Sequence, residues 1–243
     1  MKREYWFVII TYIAMQLSGF VGVPILMMLG ALTGASHHDL QMKSGAYWIV
    51  ISFLAALVLV LFFMRHDMRE SRNSRNQASI PVSIAWAVAG IFLALFSQSI
   101  ASYLEQLFGI SPGSKNTQDI LTLIKQVPWV IFVSSVIGPI LEEIIFRKII
   151  FGSLHKRYNF FLSALISSFI FGLAHMEFVH ILLYTAMGFS FAFLYNKTKR
   201  IWVSMFAHVA MNTLVVILQL FSKDIEKMAQ NAKHVQGIIG GFL

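Results

Sequence analysis

Apolar residues fall into seven long runs along this chain, near 6–32, 46–64, 81–108, 128–151, 160–178, 179–195 and 201–221. A hydrocarbon core about 30 Å thick takes about 20 helical residues, so runs of this length read as membrane crossings. They read as helices because lipid offers no partner to backbone N–H and C=O groups, and no run shows the alternation of a membrane barrel. Polar punctuation separates them. "RHDMRESRNSRNQ" at 65–77 and "GISPGSKNTQ" at 109–118 read as loops, and "NKTKR" at 196–200 as a short basic connector. The pattern predicts an all-α, polytopic membrane helix bundle of about seven transmembrane helices, and an eighth, re-entrant or interfacial, has room in 222–243. No repeat of fixed period is visible.

Composition agrees with the pattern. Of 243 residues, 57% are hydrophobic and 12% charged, and the mean hydropathy is +0.71; an ordinary soluble domain is far more polar. The net charge of +8 raises the question of nucleic acid. However, the basic residues sit in short loops between apolar runs, without a basic surface interleaved with aromatics, so the partner they indicate is the lipid bilayer. With the N-terminus cytoplasmic, thirteen of the nineteen lysines and arginines fall on the inner side, the bias of a multi-pass protein of the cell membrane. The chain has no cysteine, which removes disulfides and thiolate chemistry. The first apolar run is too long for a signal peptide, and no A-x-A site follows it.

One run is interrupted. "GPILEEIIFRK", 138–148, places Glu142, Glu143 and Arg147 among residues otherwise suited to lipid, whereas the four aspartates read as loop or tail residues. A charge near the bilayer centre costs about 2.5–3.5 kcal/mol, so two carboxylates there need a polar interior. Glu143 and Arg147 stand at i and i+4 and can pair, leaving Glu142 about 100° around the helix and free for chemistry. The competing reading is a purely structural ion pair. "FIFGLAH" adds Phe171 and His175, and "MFAHVAMN" adds His208 and Asn212. One histidine on an apolar helix is usually a packing residue. Two of them beside a Glu-Glu helix supply a base and several polar donors in one dry cavity. Glu177 and His180, in "HMEFVH", read as boundary residues at the end of a span. A straight span from Phe160 would also carry His175 toward one membrane face and leave His208 nearer the other. Something has to bend, tilt or start late, and Pro139 offers a kink.

These three segments resemble the CPBP intramembrane proteases, the family of CAAX prenyl endopeptidases and bacteriocin-processing enzymes. The matching motifs are EExxxR at Glu142, Glu143 and Arg147, FxxxH at Phe171 and His175, and HxxxN at His208 and Asn212. The resemblance divides the chain into N-terminal transmembrane helices without a catalytic motif (1–127), a catalytic core (128–221) and a tail (222–243). It implies an intramembrane endopeptidase in which Glu142 and His175 activate a water and His208 and Asn212 stabilise the oxyanion. Glu143, Arg147 and Phe171 would support them. The implied substrate is a membrane-associated peptide or protein, prenylated or of leader or pheromone type.

No cofactor is called for, although a zinc held by glutamate and two histidines is not excluded by spacing. The chain has no HExxH, GxGD or GxSG, so the zinc, aspartyl and serine types of intramembrane protease lack their motifs. Two other functions stay open: a catalytically silent membrane scaffold or regulator, and a proton-coupled transporter, since pumps also bury Glu and His.

Overall fold

The computed structural model describes residues 2–32, 36–72 and 76–222, and all the regular structure among them is helical. The first apolar run forms α1 (Arg3–Leu17) and α2 (Gly19–Ala31), bent by 46° at Ser18. Ser–Gly pairs are common kink sites, and Ser18 turns its hydroxyl to accept the indole N–H of Trp48 at 2.9 Å. Gly22 leaves room for the Trp48 ring directly against the α2 backbone. Then come α3 (His37–Arg72), α4 (Ile80–Leu107) and α5 (Lys115–Gln126). The fourth apolar run forms α6 (130–154), a continuous helix in which α turns alternate with π turns. α7 (Phe160–Ala174), α8 (Ile181–Thr198) and α9 (Ile201–Leu220) complete the bundle.

Among the described residues, four helices are long and apolar enough to cross a membrane: Lys43–Glu70 within α3, α4, α8 with its preceding turn, and α9. They become five if the bent α1–α2 pair is one span. The protein is therefore multi-pass, with four or five candidate spans among the described residues, which does not confirm the expected count of seven. α7 is apolar yet has only 15 residues, about 22 Å against a core of about 30 Å. α6 is long enough but carries Glu142, Glu143, Arg147 and Lys148. The segment considered for an eighth helix lies, from residue 223 onward, outside the described residues.

Two loop expectations are corrected. The polar stretch after 65 does not leave the helix, because α3 runs on to Arg72. It is anchored by Asp67, a buried helix residue that accepts from Lys2 Nζ and Tyr5 Oη at 2.8 Å each and pairs with Lys148 Nζ at 3.0 Å. Asp119 likewise lies within α5. That helix was not anticipated, and starts where Ser114 caps the Thr117 N–H at 3.1 Å.

Small residues set the close approach of α7 and α8, as usual where helices pack inside a membrane. A Cβ at Gly188 would come within 3.0 Å of Ser168 and 3.1 Å of Phe171, and one at Gly172 within 3.0 Å of Thr185 Oγ1. α4 closes over α8 and α9 at Gly90, against Leu194 and Ala207. The ends of the bundle thus differ. One carries the Lys2–Asp67–Lys148 cluster and the 197–200 connector, joined to Ala78 through Arg200. The other carries α5 and the α7–α8 turn.

Candidate functional site

α6 reaches the middle of the bundle with Pro139, which has no N–H to give. Instead of opening into a kink, the helix stays continuous, with π turns over Val133–Ile137 and Glu143–Phe151 on either side of the short α segment Gly138–Glu142. Such turns disturb the backbone ladder and are frequent at functional sites. The Phe146 carbonyl in the second stretch finds a partner outside the helix, accepting from Ser167 Oγ of α7 at 2.5 Å.

The two glutamates lie in different surroundings. Glu143 and Arg147 are both fully buried, with Arg147 Nε 3.5 Å from Glu143 Oε1. The guanidinium also lies over the rings of Phe171 (4.7 Å) and Phe191 (5.8 Å), which favours a desolvated cation. Glu142 keeps 18% of its side chain exposed. His208 of α9 stands between them, its Nδ1 3.1 Å from Glu143 Oε1 and its Nε2 3.7 Å from Glu142 Oε2. Its ring is stacked on Phe191 at 4.4 Å. Only the first contact is a hydrogen bond; the second is too long for one.

His175 ends α7. Its Nδ1 lies 2.8 Å from the Phe171 carbonyl; that oxygen can only accept, so Nδ1 carries a proton, and in the neutral ring Nε2 keeps its lone pair. Met176 then turns into the left-handed region, φ 56°, rare for a residue with a side chain. The chain leaves the helix there. α7 thus stops at His175, short of the run to 178 that its hydropathy suggested. Phe171 touches both imidazoles, its ring 4.6 Å from His175 and 5.8 Å from His208. It therefore packs between the two histidines as well as beneath one.

A cavity of about 580 Å³ opens at the end of the bundle that carries α5, with Phe171, His175, His208 and Asn212 in its wall. That volume is in the usual range for a ligand site. Glu142 is not part of the wall and meets it through His208. Of the residues singled out in the sequence, Glu142, Glu143, Arg147, Phe171, His175 and His208 thus form one connected cluster, and Asn212 shares its cavity.

Sequence reasoning missed what surrounds this centre. Glu105, inside the third apolar run, is buried; its Oε2 accepts from His180 Nδ1 at 2.7 Å and its Oε1 accepts the Leu183 N–H at 3.0 Å, at the start of α8. His180 Nε2 lies 3.0 Å from the Gly113 carbonyl. Glu177 accepts from Ser114 Oγ at 2.6 Å, Tyr184 Oη at 2.9 Å and the Lys115 N–H at 2.6 Å. Burial opposes ionisation of Glu177, but these donors outweigh it and hold the carboxyl below its usual range. The Tyr184 ring in turn stacks on His175 at 4.0 Å. Glu177 and His180 do lie at a boundary, but they tie the α7–α8 turn to the loop before α5. An acid inside an apolar run, at Glu105, was the available signal.

Among the described residues, no three or more His, Asp or Glu side chains are grouped so as to hold a metal ion. His208 Nδ1 is taken by Glu143 and His175 Nδ1 by a carbonyl.

Comparison with known proteins assigns the class. The matching family model is described as type II CAAX prenyl endopeptidase Rce1-like and covers residues 124–214. The chain is 51% identical over its whole length to a protein of Bacillus subtilis (strain 168) named as membrane peptidase YdiL, covering 99% of that relative. It is 30% identical to a protein of Staphylococcus aureus (strain USA300) named membrane-embedded CAAX protease MroQ, across 96% of this chain and 97% of the relative. No solved structure matches it. A multi-pass helical bundle with these relatives is a membrane peptidase, a hydrolase. The chain belongs to the Rce1-like CAAX protease family.

Proposed function

We propose that this peptidase cleaves a peptide bond of a membrane-associated substrate with a water activated by Glu142 and His175. The observation that carries the reading is the placement of His208 between both carboxylates while it shares a cavity wall with His175 and Asn212. Water attacks the scissile carbonyl carbon and gives its proton to the Glu142–His175 side; the lone pair on His175 Nε2 suits that task. Negative charge then develops on the carbonyl oxygen, toward which the Asn212 amide donates, and His208, with Nδ1 held by Glu143, donates from Nε2 when its ring carries both protons. Collapse of the intermediate expels the amine, which takes up the proton. Glu143 orients His208 through Nδ1, and Arg147 balances the Glu143 charge. Residues 128–221 supply this centre, and 1–127 supply helices that enclose it.

No metal enters this scheme. Exhaustive chelation should leave activity unchanged, and elemental analysis showing one zinc per chain, lost and restored together with activity, would replace the scheme with a zinc one. We place the protein in the cell membrane with its N-terminus cytoplasmic, on the charge bias; the cavity mouth then faces away from the cytoplasm. The substrate class is a lipid-anchored or membrane-inserted peptide, whether a prenylated tail, a leader or a pheromone precursor. Membrane and secreted peptides should be compared between cells carrying the wild type and Glu142→Gln. A peptide that accumulates uncleaved in the variant supports the reading, and identical peptide sets would sink it in favour of a silent scaffold.

A further inference from the structure

The cavity has two unlike banks. α4 presents Gln98, Ser99, Ser102 and Gln106 beside Leu95, whereas α8 and α9 present Met187, Met211 and Val215 together with the polar Tyr184, Asn212 and Gln219. Gln98, Ser102 and Gln106 stand at i, i+4 and i+8, so they form one stripe along the helix. It is about 12 Å long, the reach of about four extended residues. None of the described residues lining the cavity is Lys, Arg, Asp or Glu, so apart from His175, His180 and His208 the cavity offers no partner for a charged side chain.

The stripe is partly satisfied from within. Ser99 Oγ donates to the Leu95 carbonyl at 2.8 Å, and Gln106 Nε2 to the Ser102 carbonyl at 3.2 Å. Gln98 differs: its Oε1 is buried and has no hydrogen-bond partner among the described residues. An amide oxygen kept out of water without a donor costs free energy that an apolar side chain of similar size would not. Gln98 lines the cavity, and turning its terminal amide toward it would bring that oxygen to a peptide N–H entering there, which would supply the missing donor.

We propose that this stripe of α4 is the backbone-binding edge of the substrate cleft, with Gln98 accepting one peptide N–H of an extended, uncharged, apolar segment. The side chains of that segment lie on the methionine and valine bank. Mixed hydroxyl and amide chemistry along one bank suits a peptide backbone and not an acyl chain, which has no polar group to offer it. The proposal rests on the peptidase reading of the site, and it gives a recognition role to a part of the chain that carries no motif.

The test separates recognition from cleavage. The probe is an end-blocked, fluorescently labelled peptide of leucine, valine and alanine, titrated by anisotropy against the full-length Glu142→Gln protein in detergent. A series carries a single N-methyl group at each successive amide. One N-methyl position should weaken binding about tenfold, the scale of one hydrogen bond. Gln98→Leu in the same background should weaken binding of the unmethylated peptide about equally, and the two changes together should cost no more than either alone. The Gln98→Leu protein should melt no lower than its parent. Failure of the peptide to bind, additive losses, unchanged binding by Gln98→Leu, or a lowered melting temperature with unchanged binding each overturn the proposal. Cleavage of the same peptide by wild type tests the peptidase reading independently: binding that depends on Gln98 without cleavage would sink that reading and keep the edge.

Discussion

His180 and His208 both line the cavity, and each is held by a buried glutamate through Nδ1. The second nitrogen separates them. His180 Nε2 lies at hydrogen-bond distance, 3.0 Å, from the Gly113 carbonyl, so the ring is fully committed and joins a turn to a loop. His208 Nε2 faces Glu142 at 3.7 Å, too far for a hydrogen bond, so one nitrogen remains for something in the cavity. A buried Glu–His pair is therefore not in itself a sign of chemistry; what decides is whether a nitrogen is left over. The surroundings differ in the same sense. Glu143 is buried with a guanidinium inside the bundle, whereas Glu105 spends its other oxygen on the Leu183 N–H.

The comparison can be broken first at its charge balance. Arg147→Ala leaves the fully buried Glu143 without its cation and should cost about 3–5 kcal/mol of stability, seen as a large drop in thermal midpoint. A midpoint within a few degrees of wild type would mean that Glu143 is not paired in the folded protein.

Next comes the contrast between the histidines. His208→Gln should lower kcat by about 10²–10³-fold with little change in stability, while His180→Gln should cost about 1–3 kcal/mol of stability and leave kcat per folded molecule within a few-fold. Equal effects on kcat would erase the distinction. Asn212→Ala sharpens it from the other side of the cavity: kcat should fall about 10²-fold with KM unchanged, and a raised KM at normal kcat would make Asn212 a binding residue.

The smallest effect concerns Glu177. Its folded carboxyl is held below the ordinary range, because donors outweigh burial, so its contribution is present above the unfolded pKa and is lost as pH falls through the lower, folded one. Wild type should lose stability on acidification below the ordinary carboxylate range, and Glu177→Gln should show a shallower loss over that window. Parallel melting curves for the two proteins would remove Glu177 from the tie between turn and loop.

Helical class and membrane character were legible in the apolar runs because backbone groups in lipid leave no other regular choice. The clustered site residues were legible too, since a carboxylate or imidazole in such a run is costly enough to need a reason. Other features depended on partners far along the chain. Asp67 looked like a loop residue until Lys2, Tyr5 and Lys148 surrounded it. The polar residues at 175–180 marked a boundary, but that the turn there is tied to the loop before α5 through Glu177 and His180 depends on Ser114, Lys115 and Gly113. Gln98, in a segment with no motif, gains meaning only because α4 packs opposite α8 and α9.

The sequence by itself determined which residues are too polar for lipid, since transfer cost is a property of each side chain. Only the tertiary structure decided which of them keep a nitrogen or oxygen unspent, because hydrogen-bond satisfaction belongs to pairs of groups, and these pairs lie 65 residues apart for Glu143 with His208 and 75 for Glu105 with His180.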